Sequence, residues 1–296
     1  MAVPTKRARF WVWCARITWA LLPVTMGTAL ADALDSWSTP TASVAAGLMW
    51  IVWAAGLAAL FIPRTWALTV VRVAAPLAVL GAVFTVSSTS VGAAIAAIGG
   101  SIVAAVFALS VPVAFANANA LAYGDEQRVP LRTPTPLLAG PIPIAVLAVG
   151  FGIATGPLLL AAGRIVLGIV AVVVGFPLAF LVGRSLNSLS GRWLVFVPAG
   201  IAIVDPLTLA DPVLVRRENI SSLRRTTSTT MPAGTLDLRL GTLGGGVALA
   251  LREPVQFARR RGRIDADIIE PVLVVVAVPN ASAIVQLAGT RRIATA

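Results

Sequence analysis

Histidine is absent from all 296 residues, and cysteine occurs once, as Cys14. With a single cysteine no disulfide can close within the chain, and no Cys/His zinc site can be assembled. The missing imidazole also excludes Ser–His–Asp and Cys–His nucleophilic catalysis. Charge is scarce: Asp, Glu, Lys and Arg together make up 12% of the residues, against about 25% in an average soluble chain. No Asp or Glu falls in the middle of any long apolar run. The chain therefore has no obvious intramembrane carboxylate relay, which counts against proton-driven transport.

What the chain has instead is long apolar runs. It is 58% hydrophobic with a mean hydropathy of +0.91, and the apolar residues are gathered in stretches long enough for a membrane. About 20 apolar residues cross the hydrocarbon, and on that length the runs Phe10–Ala31, Ala42–Ile62, Trp66–Val86, Ser90–Ala114, Leu137–Leu159 and Gly163–Val182 read as six spans. Only Gly156-Pro157 and Gly163-Arg164 separate the last two. The first run ends in Ala29-Leu30-Ala31, which has the small-x-small form of a signal-peptidase site. Trp11, Trp13 and Trp19 at its start favour an uncleaved helix, because indoles prefer the membrane interface.

The positive charges give an orientation. With the N-terminus inside, Lys6, Arg7, Arg9, Arg64, Arg128, Arg132 and Arg184 all fall inside, as does the basic tail. The outside segments around 32–41 and 87–89 have no Lys or Arg, and only Arg164 borders the third. Both termini are thus expected in the cytoplasm. Arg16 and Arg72 lie about two turns from the cytoplasmic ends of their spans, where an arginine snorkels to phosphates or lines an anion or headgroup pocket between helices. Small residues at helical spacing, Ala96/Gly100, Gly152/Gly156 and Ala171/Gly175, permit close helix approach. The inside loop 117–136 combines Tyr123-Gly124-Asp125-Glu126-Gln127-Arg128 with Pro130, Pro134 and Pro136. Its prolines disfavour a helix, and it reads either as an extended strip docking on the tail or as a solvated connector.

From Arg192 the hydrophobic period changes to two. Trp193–Val197, Ile201–Val204, Val213–Val215, Leu236–Leu240, Val247–Leu251 and Val272–Val278 read as strands, and Thr226–Gly234 as an irregular loop. Asn280 offers an N-cap to a closing helix over Ala281–Ala288, which Gly289 would end. Strands followed by one helix is the order of pleckstrin-homology-like (PH-like) domains. Two basic clusters stand out: Arg216, Arg217, Arg224 and Arg225, then Arg259, Arg260, Arg261 and Arg263. Held beside an anionic leaflet, each arginine adds about 1 kcal/mol of attraction. The alternatives are a solvated face following the inside-positive bias, or nucleic acid, which the lack of aromatic stacking residues among these arginines disfavours. Asn219-Ile220-Ser221 and Asn280-Ala281-Ser282 match a glycosylation pattern but would face the cytoplasm.

Two signatures carry a family resemblance. One runs from Tyr123-Gly124-Asp125-Glu126 through Pro130-Leu131-Arg132 to Gly140-Pro141-Ile142-Pro143; the other is Arg192-Trp193-Leu194-Val195-Phe196-Val197-Pro198-Ala199-Gly200 with Asp205-Pro206-Leu207 and Asp211-Pro212-Val213-Leu214. Over about residues 117–217 the chain resembles an uncharacterised actinobacterial family of multi-pass membrane proteins with a PH-like C-terminal domain. The resemblance implies topology and an actinobacterial source, and no activity.

These readings combine into one expectation. Residues 1–184 form an α-helical transmembrane bundle of about six helices, and 185–296 a small mainly-β, PH-like cytoplasmic domain with a C-terminal helix. The protein is expected in the cell inner membrane, non-enzymatic and without cofactor or metal. Its partners are anionic lipid headgroups or a membrane or cytoplasmic protein, not nucleic acid. Arg216, Arg217, Arg224, Arg225, Arg259, Arg260 and Arg261 are the expected contacts. The alternative is a transporter or permease component with a regulatory tail, whose broken helices would form around Pro23, Pro76, Pro112 and Pro177. Asp125, Glu126, Asp205 and Asp211 are loop acids with no partner base in the sequence, and Asp-Pro pairs more often make turns.

Overall fold

The computed structural model describes residues 5–62, 64–120, 122–228, 230–262 and 265–296. In chain order its elements begin with α1 (Thr5–Ala20), α2 (Leu22–Leu34), α3 (Thr39–Phe61), α4 (Thr65–Phe84), α5 (Val91–Ala108) and α6 (Val111–Asn119). After these come β1 (Gln127–Pro130), α7 (Thr135–Ala139), α8 (Pro141–Ala161) and α9 (Ile165–Ser190). The remaining strands are β2 (Trp193–Val197), β3 (Gly200–Val204), β4 (Val213–Arg216), β5 (Ile220–Thr226), β6 (Thr235–Asp237), β7 (Gly246–Leu251), β8 (Phe257–Arg260), β9 (Ala266–Ile269) and β10 (Leu273–Val276). Helix α10 (Ala281–Thr290) follows them. Two compact units result: a helical one of Lys6–Asn117 with Ile142–Asn187, and a β unit of Ala118–Pro141 with Ser188–Ala296.

Among the described residues, six helical stretches are long and apolar enough to cross a membrane: Ala8–Leu34, Thr39–Phe61, Thr65–Ser87, Val91–Ala108, Pro141–Ala161 and Ile165–Ser190. The chain is a multi-pass membrane protein. The fourth span ends earlier than the expected Ala114, because Pro112 cannot donate an N–H back to Ala108 and instead takes a place in the first turn of a new helix, α6. The last span continues past the expected Val182 to Ser190.

Alanine dominates the core of the helical unit. Ala15 and Ala29, Ala59, Ala67, Ala74 and Ala75, and Ala97 and Ala104 are all buried there, from five different helices. Small side chains let helix backbones approach where no hydrophobic effect drives them together. The largest buried side chain is Trp19, and two features seat it. Gly56 leaves the space its indole fills, since a Cβ there would collide with the ring. Its Nε1–H donates to the Trp53 carbonyl at 2.9 Å, and Trp53 Nε1–H donates back to the Trp19 carbonyl at 3.0 Å. The second bond has a local cause: Pro23 has no N–H to offer the carbonyl four residues earlier, and that carbonyl belongs to Trp19. Close approach recurs at Gly152 and Gly175, where a Cβ on Gly152 would lie 2.7 Å from the Gly175 carbonyl oxygen. Gly100 is held similarly against Thr25.

The β unit contains two four-stranded sheets and a ribbon. The first is an antiparallel meander, β1-β2-β3-β4, with Val129 opposite Leu194, Phe196 opposite Ile201 and Ile201 opposite Val215. The second has the order β5-β7-β10-β6, its last pair parallel. Strands β8 and β9 form the ribbon. Apolar positions of both sheets are buried, with Phe196, Ile203, Leu223, Val247 and Val274 completely so, as is Phe257 of the ribbon.

Several expectations are corrected here. Of the two readings of the loop 117–136, the extended strip on the tail holds and the solvated connector does not: its residues 127–130 pair with β2 as the edge strand of the first sheet. Leu131 N–H continues the ladder to the Arg192 carbonyl at 3.0 Å, and Arg132 N–H reaches the Ala277 carbonyl at 2.9 Å. The boundary at 184/185 is therefore replaced by a β unit assembled from two separated segments. Pro136 does not prevent a helix, since it occupies the first turn of α7, where its missing N–H is not needed. Strand β6 stops at Asp237 instead of Leu240: the Asp237 carboxylate accepts the Arg239 N–H at 2.9 Å, turning the chain, and Leu240 and Gly241 follow at positive φ. Asn280 caps α10 as expected, accepting the Ala283 N–H at 3.0 Å. Gly289 does not end that helix; it runs to Thr290, and the left-handed residue after it is Arg292, at φ 56°.

Candidate functional site: arginines of the β unit

One arginine of the β unit is structural. Arg192, at the start of β2, and Asp205, just after β3, form a bidentate pair: Nε to Oδ1 at 2.9 Å and Nη2 to Oδ2 at 2.8 Å. Their side chains are 2% and 0% exposed. The other donors of the guanidinium reach the Arg132 carbonyl at 3.2 Å and the Leu238 carbonyl at 2.8 Å. Asp205 Oδ1 also accepts the Leu207 N–H at 3.1 Å, forming the turn expected of Asp-Pro. One planar fork thus ties together β2, the segment after β1, the turn after β3 and the segment after β6. The Arg192–Asp205 pairing is not visible in the sequence, and it removes Asp205 from the candidates for chemistry. Asp211 and Asp125 are exposed, and Glu126 is engaged by Arg128 at 2.8 Å. Among the described residues no group of His, Cys, Asp and Glu could hold a metal ion.

The arginines expected as contacts fall in three places. Arg216 ends β4, exposed, with Glu218 at 3.8 Å, an ion pair of little value at such exposure. Arg217 follows it, its N–H bonded to the Ala199 carbonyl at 2.8 Å and its guanidinium to the Pro198 carbonyl. Arg224 and Arg225 are neighbours on the edge strand β5, so their side chains leave on opposite faces. Arg225 reaches Ser282 Oγ on α10 at 3.2 Å, and Arg224 is exposed. The third place is the β8–β9 ribbon. There Arg259 faces Asp267 across the ladder, Arg261 lies 3.5 Å from the same carboxylate, and Arg260 Nε donates to the Leu209 carbonyl at 2.9 Å. Arg263 lies outside the described residues, as do the side chains of Lys6 and Arg7.

The first cluster is therefore divided between two elements, and the second shares its ribbon with Asp265, Asp267 and Glu270. A different grouping is made by the fold. Arg217 lines a surface cavity of about 480 Å³ together with Arg252 and Arg292. Pro198, Ala199, Glu218, Ile220 and Ala294 complete its wall. Arg252 leaves the end of β7 and Arg292 follows α10, so no spacing rule could have joined them to Arg217. Among the described residues the charged groups of that wall are three guanidiniums and one carboxylate.

In the helical unit Arg16 has protein partners. Its Nε donates to the Leu60 carbonyl at 3.1 Å, and its guanidinium lies 4.3 Å from the Phe61 ring centroid and 5.2 Å from that of Trp13. A helix-end carbonyl and two aromatic faces thus stabilise the charge. Arg72 is half-buried in α4.

Compared with family models, with curated proteins and with solved structures, the chain matches none.

Proposed function

We propose that this protein is a non-enzymatic component of the bacterial inner membrane, with both termini cytoplasmic, whose PH-like β unit docks on anionic lipid headgroups. The observation that carries this reading is the surplus of exposed guanidinium on a β unit built into a multi-pass membrane protein. Arg216, Arg217, Arg224, Arg225, Arg259 and Arg261 all stand exposed, and each arginine near an anionic leaflet gains about 1 kcal/mol. The succession of strands β2–β10 followed by the one helix α10 supports the PH-like description. The alternative, a transporter or permease component with the β unit as regulator, is less well supported. Two of its polar and broken-helix features are satisfied within the protein, at Arg16 and at the Trp19 carbonyl that lacks an N–H from Pro23.

The test uses the full chain in lipid nanodiscs, with Cys14 replaced and a polarity-sensitive dye on Gly262→Cys, where a side chain meets nothing within 4 Å. In discs containing phosphatidylglycerol at low salt the dye emission shifts to the blue, and it returns at high salt, where exposed charges are screened. Phosphatidylcholine discs give no shift. Identical emission in both discs, unaltered by replacing the exposed arginines with glutamine, would falsify the lipid-docking reading.

A further inference from the structure

We infer that the cavity lined by Arg217, Arg252 and Arg292 is a binding site for a phosphomonoester. This rests on the proposed docking only for the source of the ligand, a lipid headgroup; the site itself stands on its own geometry. A guanidinium presents a planar fork of N–H donors that matches two phosphate oxygens at once. Three of them line one surface concavity of about 480 Å³, Arg217 with one N–H already donated to the Pro198 carbonyl, and the volume is within the usual range of small-molecule sites of about 300–1,000 Å³.

Each arginine is anchored at its base rather than carried on a loose loop. Arg217 is fixed by its N–H to the Ala199 carbonyl at 2.8 Å and by its guanidinium to Pro198. Arg252 donates its N–H to the Asn219 carbonyl at 2.9 Å, and the next residue is clamped by the Asn219 side chain, Glu253 N–H to Oδ1 at 2.7 Å and Nδ2 to the Glu253 carbonyl at 3.0 Å. Arg292 sits in a tight turn, its N–H on the Gly289 carbonyl at 3.0 Å, while Ile293 beside it is buried. That turn holds Arg292 at φ 56°, a left-handed conformation that strains an L-residue and that glycine adopts without steric penalty. A glycine would suit the backbone better, so what the position gains from arginine is its side chain. Among the described residues the guanidiniums of Arg252 and Arg292 have no hydrogen-bond or ion-pair partner, and the one carboxylate in the wall, Glu218, lies 3.8 Å from Arg216.

Three guanidiniums against one carboxylate leave the described wall net positive. A phosphomonoester carries close to two negative charges at neutral pH, its second pKa being about 6, whereas a phosphodiester carries one. The net positive wall therefore attracts the monoester more strongly than the diester. A phosphomonoester loses one of its two negative charges as pH drops through about 6, and its affinity for the guanidiniums falls with it.

The experiment titrates glycerol 3-phosphate into the full chain in phosphatidylcholine nanodiscs by calorimetry, with glycerophosphocholine as the diester control. Glycerol 3-phosphate is expected to bind in preference to the diester. Arg252→Gln with Arg292→Gln weakens it by about ten- to a hundredfold, the loss of charge-assisted hydrogen bonds, while Arg252→Lys with Arg292→Lys keeps part of the affinity. Arg259→Gln with Arg261→Gln leaves it unchanged. Discs containing phosphatidic acid compete with glycerol 3-phosphate if the ligand is a headgroup, and do not if it is a free phosphomonoester; either result supports the site. Absence of monoester binding to the wild type, or equal binding by the Arg252→Gln/Arg292→Gln variant with an unchanged melting temperature, overturns it. The dye shift in phosphatidylglycerol discs reports separately: if it persists while the monoester site fails, general docking survives and this inference alone is lost.

Discussion

Arg192 shows how much a single side chain holds in the β unit. Its partner Asp205 is completely buried, so removing the guanidinium would leave a carboxylate without water or counter-charge. Arg192→Met is expected to destabilise the β unit by about 3–5 kcal/mol, the cost of breaking a buried pair from one side. The double variant Arg192→Met/Asp205→Leu should recover much of that loss, because two apolar groups need no solvation. Denaturant unfolding of the single and double variants checks both, and a double variant no more stable than Arg192→Met would contradict this account. Glu126 gives a pH signature. The Arg128 guanidinium holds its carboxyl below the usual value, against the opposing effect of burial and with help from the Tyr123 N–H. A carboxylate with a depressed folded pKa contributes stability that is complete above its unfolded value and disappears as pH falls through the folded one. Protection factors of the 126–128 amides should therefore decline on acidification below the ordinary carboxylate range, and Glu126→Gln should abolish that component of the decline.

At the scale of elements, β1 sets the limits of the β unit. Val129 is 0% exposed and Leu131 is 7% exposed, and Val129 pairs with Leu194 in the ladder. Burying an aliphatic side chain of this size is worth about 1.5–3 kcal/mol, and the ladder bonds of β1 satisfy one edge of β2. Asn119 extends the arrangement by clasping the Arg128 backbone from both sides, Nδ2 to the carbonyl at 2.7 Å and Oδ1 from the N–H at 2.8 Å. A fragment of residues 188–296 is accordingly expected to melt lower than the same fragment joined to 118–141. A separate 118–141 peptide should raise its melting temperature in a saturable way, and the same peptide with Val129→Asp should not. Equal melting with and without the peptide would mean that β1 is dispensable.

For the whole molecule, the six spans and the distribution of Lys and Arg make one topology prediction. In a cysteine-free background, Ser36→Cys should be labelled by an impermeant thiol reagent on intact cells, and Gly262→Cys only after lysis. Both positions are exposed, so access depends on the side of the membrane alone. Labelling of Gly262→Cys on intact cells would reverse the orientation and place the arginines of the β unit away from the cytoplasmic leaflet. The docking proposal and the lipid source of the proposed phosphomonoester would then fail together, while the anion site itself would remain open to a soluble ligand.

Membrane spans are legible in sequence because their physics is one-dimensional. A run must be long and apolar enough to cross hydrocarbon, and every stretch expected to do so has its counterpart among the helices. The alternating strands around Trp193–Val204 and the Asn280 cap are equally local and equally legible. Strand β5 and the β8–β9 ribbon were not, because Ile220–Thr226 and Phe257–Arg260 carry polar or charged residues where an alternating pattern would need apolar ones. The membership of β1, the Arg192–Asp205 pair and the joining of Arg217 to Arg252 and Arg292 depend on residues far apart in the chain. Each required a tertiary fold to bring its parts together: burial decides which charges must be paired, and only the folded surface decides which arginines share a cavity.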